Sequence, residues 1–154
     1  MPKVHLSEML PLMEEMLNQN GEVTFIPEGI SMLPVIVGGK DSVTIKKPVK
    51  RLKKFDACLY VRKSGGFVLH RVIEVLPDSY VMSGDNQYVL EKGITDEQII
   101  GLVVSVNKGG KEIYCERKAY KFYVRLMAGK PAKFIKKNLA RVKNIKNKFF
   151  GAKK

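Results

Sequence analysis

The chain has 154 residues, 45% of them hydrophobic and 28% charged, which fits one globular domain with a buried core and excludes an intrinsically disordered chain. Its net charge of +13 is unevenly placed: from Arg117 onward there are 14 Lys or Arg and no acid, whereas residues 1–116 hold 14 cations against 15 acids. No apolar run is long enough to cross a bilayer, and the opening MPKVHLSEML lacks the basic region, apolar stretch and cleavage site of a secretory signal.

The first element in the chain, HLSEMLPLMEEMLNQNG, repeats apolar residues at Leu6, Met9, Leu10, Met13, Met16 and Leu17. That spacing predicts a core-covering helix over 1–20, with Ser7 as its cap, Gly21 just past its end and Pro11 as a cost in mid-helix. His5, in this segment, is expected to have a surface or packing role. From Gly21 the pattern changes to short runs rich in Val, Ile, Tyr and Phe: EVTFIP, DSVTIKK, ACLYVRK, FVLHRVIEVL, YVMSG and IIGLVVSVNK. Each is bounded by turn residues, with KSGG, LPDS and NKGG marking hairpins or turns. Residues 21–116 are therefore expected to form a mainly β body, a folded sheet or barrel-like structure. Cys58 and Cys115 lie in apolar runs without metal-like spacing, and free thiols in a cytoplasmic protein are expected. Nothing in the sequence calls for a cofactor or a metal.

The last segment, 117–154, returns to helical spacing. A short helix is predicted around Tyr120 to Met127, then AGKP, then a basic amphipathic helix with Ile135, Leu139, Val142, Ile145 and Phe149 on one side and lysines mostly on the other. Such a tail either packs on its own domain with a solvated basic face or, through residues 130–154, lies on an anionic membrane surface. Fourteen cations also suit non-specific phosphate binding, but nucleic acid does not call for the apolar stripe. The oligomeric state is not legible.

Chemistry concentrates in a few places. EGISMLPVIVGGKD sets Ser31 in an apolar, glycine-flanked turn, where it is either a loop serine or a nucleophile in need of a base. His70 lies in FVLHRVIEV; alternation puts Val68, His70 and Val72 on one face and Leu69, Arg71 and Ile73 on the other. Taken alone, His70 reads as a core histidine.

Taken in order, GISMLP, GGKD, LKKFDACLYVR, LHRV, SGDN and IIGLV resemble the superfamily of signal peptidases and LexA-like self-cleaving repressors, over about Val23 to Val106. The resemblance implies a serine endopeptidase with Ser31 as nucleophile. His70 then stands where bacterial signal peptidases carry a lysine base, as in the histidine version of the archaeal and endoplasmic-reticulum enzymes. A neutral imidazole suits that task near pH 7. The backbone N–H of Ser31 would serve the oxyanion; Gly29, two residues earlier, offers no hydroxyl to help it. Asp85 in SGDN matches the family's Gly-Asp-Asn turn and either orients His70 or braces the turn beside Asn86. After that turn the family places further polar residues, where this chain has QYVLEKG with Glu91, so no third member is assigned. The expected substrate is a peptide or protein segment, extended along a strand edge, with small side chains near the cut. Neither the membrane anchor of signal peptidases nor the DNA-binding domain of the repressors is expected within these residues. Self-cleavage is not expected, because Ala128-Gly129 follows the catalytic region. A catalytically inactive peptide- or membrane-binding module of the same fold is the alternative.

Overall fold

The computed structural model describes residues 6–19 and 21–150; His5, the side chain of Ser7 and residues 151–154 lie outside what it describes. Helix α1 (Leu6–Asn18) comes first and runs through Pro11. Met13 and Leu17, four residues apart and so on one face, are its buried anchors. The chain then turns sharply: the Gly21 N–H donates to the Met16 carbonyl at 3.0 Å, and a Cβ at Gly21 would stand 2.6 Å from that oxygen. Only glycine fits there.

Eight antiparallel strands follow: β1 (Glu22–Phe25), β2 (Ser42–Lys46), β3 (Ala57–Val61), β4 (Phe67–Val75), β5 (Tyr80–Ser83), β6 (Glu91–Ile94), β7 (Ile99–Lys108) and β8 (Lys111–Tyr114). They make one sheet in the order β1-β2-β7-β3-β4-β5-β6, with β8 also paired to β7. The body is mainly β, as expected. A short 3₁₀ turn, Asp96–Gln98, leads into β7. Two helices close the chain, α2 (Lys118–Ala128) and α3 (Lys130–Phe150). No helix among the described residues is long and apolar enough to cross a membrane.

The sheet is buried on both sides at its centre. Ala57 and Leu59 of β3 enter a cluster with Met13, Leu17, Met32, Ile36 and Val124. Cys58 and Tyr60, on the opposite face, enter a second cluster with Val72, Tyr80 and Met82. Period-two alternation thus feeds two cores, which is why the β3 sequence ACLYV is apolar throughout. Each large apolar side chain buried there contributes roughly 1.5–3 kcal/mol. Both cysteines are free, Cys58 buried and Cys115 half-buried.

Candidate functional site

The loop that carries Ser31 spans residues 26–41, between β1 and β2, and closes on itself. Gly29 has φ +87°, a left-handed conformation that glycine adopts without strain. Gly38 lies so close to the Gly29 backbone that any Cβ there would collide with it, and the Gly39 N–H donates to the Pro27 carbonyl at 2.7 Å. Buried Asp41 staples the loop's end, accepting from the Val37 N–H at 2.8 Å and from Lys108 Nζ at 2.6 Å. Burial opposes the charge on Asp41, yet Lys108 and the Val37 N–H outweigh it and hold its pKa below the ordinary value. Met32, Val35 and Ile36 anchor the loop in the first core. Ser31 itself is half-buried. Among the described residues its hydroxyl and its N–H have no hydrogen-bond partner.

A second turn, residues 84–87, lies against the back of this loop. The Asn86 N–H donates to the Ser31 carbonyl at 2.7 Å, and a Cβ at Gly84 would stand 2.5 Å from that same oxygen. The glycine of SGDN is there so that two backbones can touch. Asp85 is fully buried and pairs with Arg71, equally buried: Nε to Oδ1 at 2.7 Å and Nη2 to Oδ2 at 2.8 Å. Arg71 also donates through Nη1 to the Phe55 carbonyl at 2.8 Å. Asp85 therefore braces the turn, and its carboxylate is taken up by Arg71.

His70 is buried. Its Nδ1 lies 3.4 Å from Glu91 Oε1 and 3.3 Å from the Tyr60 hydroxyl, while Nε2 has no hydrogen-bond partner among the described residues. Burial first, then the Arg62 and Lys133 charges, push its pKa down to about 4 against the opposing pull of Glu91, so the imidazole is neutral at pH 7. Glu91 thus faces a neutral ring across 3.4 Å, and the contact is not an ion pair at pH 7. Glu91 is held ionised chiefly by Arg62, which grips it in a fork, Nε to Oε2 at 2.8 Å and Nη2 to Oε1. An ionised carboxylate beside Nδ1 favours the proton there and leaves the lone pair on Nε2. Sequence reasoning passed over this role for Glu91 because the side chain arrives from β6, and EKGI carries almost no strand signal.

The two halves meet along β4. Phe67 to Arg71 pair with β3, but β5 pairs only with Arg71 to Val75, so among the described residues Phe67–His70 have one edge unpaired by any strand. Phe67, Val68 and Leu69 form one wall of a pocket of about 130 Å³, and Ser31, Met32 and Ile36 form another. Ser31 lines this pocket and His70 does not: His70 sits opposite Cys58, on the face of the second core, and no hydrogen bond joins it to Ser31.

The tail contributes as well. Lys133 Nζ donates to Ser83 Oγ at 2.8 Å, to the Gln87 carbonyl at 2.6 Å and to the Gly84 carbonyl. Lys136 Nζ donates to the Asp85 carbonyl and, at 3.3 Å, to the Met127 carbonyl. Burial lowers the pKa of both, that of Lys133 to about 8 despite Asp85 nearby. Two lysines of the tail thus tie down the turn that backs Ser31. The chain matches no protein-family model, no curated protein and no solved structure.

Proposed function

We propose that the protein is a serine endopeptidase of the signal-peptidase and LexA-like type, with Ser31 as nucleophile and His70 as general base. The observation that carries this reading is the buried histidine with a fixed carboxylate beside it: Arg62 grips Glu91, Glu91 faces Nδ1, and no described group engages Nε2. A core histidine needs no ionised carboxylate against one nitrogen and no unpaired edge beside it. Ser31 Oγ attacks the peptide carbonyl while its proton passes to His70 Nε2. The imidazolium that forms is stabilised by Glu91, and the developing oxyanion is met by the Ser31 N–H. The C–N bond then breaks, the amine leaves with the proton from His70, and water releases the acyl group by the same route. An extended substrate pairs with the open edge of Phe67–His70, with one small side chain in the pocket beside Ser31.

A second reading has one observation in its favour. Ser31 and His70 are not hydrogen-bonded to one another, and the same edge and pocket would hold a peptide without cutting it. Incubation with a mixed peptide library, read by mass spectrometry, separates the two. Internal cleavage in one residue context, lost in both Ser31→Ala and His70→Ala, is the expected result. Binding of the library without cleavage by the wild type supports the non-catalytic module.

A further inference from the structure

Over residues 132–141, where the side chains of helix α3 are described, two lysines turn inward and large apolar side chains are exposed. The side it turns to the body carries Lys133 and Lys136, whose ammonium groups are spent on backbone carbonyls of residues 84–87. The side it turns outward carries Phe134, Ile135 and Leu139, which are 67%, 57% and 59% exposed. Helix α2 buries apolar Val124 and Ala128 in the ordinary way, but also leaves Phe122 and Leu126, one turn apart, 65% and 55% exposed. Two successive helices thus present large apolar side chains to solvent, in a segment with 14 cations and no acid. Phe134 also lines a cleft of about 350 Å³, as do Val81 and Leu90. Lys54, Lys133 and Lys137 line the same cleft, with Glu74 the acid among them.

We propose that the outer face of α2 and α3 docks on an anionic lipid bilayer. Exposed apolar side chains interleaved with cations match the two parts of such a surface, hydrocarbon below and negative headgroups above. A second copy of the chain fits less well, because a two-fold contact through this face would set two acid-free basic segments against each other. Nucleic acid would use the cations and leave Phe122, Leu126, Phe134, Ile135 and Leu139 unexplained. Because Lys133 and Lys136 of α3 grip the 84–87 turn, a docked helix holds the Ser31 pocket at a fixed position relative to the membrane. The docking itself does not depend on peptidase activity.

The test is flotation of the full chain with vesicles of phosphatidylcholine alone and of phosphatidylcholine with phosphatidylglycerol, at low and high salt. The wild type is expected to float with the anionic vesicles and not with the neutral ones, and to retain part of that binding in high salt. The variant F134S/I135S/L139S changes side chains that are more than half exposed, so its thermal unfolding should stay close to that of the wild type, with Phe134, which also lines the cleft, as the largest contributor to any shift, while its vesicle affinity should fall about tenfold or more. Absence of flotation, or flotation unchanged in the triple variant, overturns the proposal. So does a concentration-dependent dimer that the triple variant abolishes without vesicle binding, which assigns the face to a second copy. Binding to a DNA or RNA oligonucleotide that vesicles fail to compete assigns the cations to phosphate and overturns it equally.

Discussion

Arg71 and Asp85 form a fully buried ion pair directly behind the candidate nucleophile, and such a pair is costly to break because the surviving charge has no water to turn to. Removing the negative partner alone leaves the Arg71 guanidinium buried and half-satisfied. Asp85→Asn is therefore expected to destabilise the fold by about 3–5 kcal/mol, read as a drop in the urea midpoint. Glu91 acts differently, through the base it faces. In Glu91→Gln the imidazolium formed during attack loses its counter-charge, and kcat should fall roughly a hundred- to ten-thousand-fold with little change in KM. Its pH profile gives a second readout. The rate needs neutral His70, so the wild-type acid limb falls as pH approaches about 4. Glu91 raises the His70 pKa, and its loss moves that limb to lower pH. A merely structural role for Glu91 would leave the limb where it was.

Among the elements, the strands were the most legible in the sequence. Alternating apolar runs between Gly, Pro, Asp and Ser turns announced six of the eight, the NKGG turn pointed to β8, and the hairpin at KSGG joins β3 to β4 as expected. Strand β6 was missed, since EKGI buries only Ile94 and is held by backbone pairing with β5. The pairing of Asp85 with Arg71 was also hidden. Nothing in LHRV or SGDN says that the side chain after the histidine turns to the aspartate; that follows from the β4–β5 register, Arg71 opposite Ser83. Of the tail's expected apolar stripe, Ile135 and Leu139 are exposed, while the side chains of Val142, Ile145 and Phe149 lie outside the described residues; the direction could not be read from spacing, because it depends on which carbonyls Lys133 and Lys136 find. The glycines give the sharpest test of how these parts fit. Gly84→Ala places a methyl against the Ser31 carbonyl, so the two turns must separate. A loss of about 1–3 kcal/mol is expected, with a larger fall in kcat than in substrate binding, and Gly65→Ala, in open space at the β3–β4 hairpin, serves as the control for backbone strain alone.

For the molecule as a whole, the sheet brings together pieces that are distant in the chain: a loop before β2, the middle of β4, the turn after β5 and two lysines of α3. Each is fixed by a different device, respectively close glycine contacts, ladder pairing with β3, a buried ion pair and lysine-to-carbonyl bonds. The loop, the turn and the lysines bear on Ser31 or on the 84–87 backbone behind it, and β4 supplies a wall of the pocket that Ser31 lines. The most direct measurement is to quench the protein with acid during turnover of a cleaved peptide and locate the covalent acyl group by tandem mass spectrometry. The N-terminal half of the substrate attached to Ser31, absent in Ser31→Ala together with cleavage itself, is the expected result. An adduct on another side chain, or undiminished cleavage by Ser31→Ala, would contradict the account.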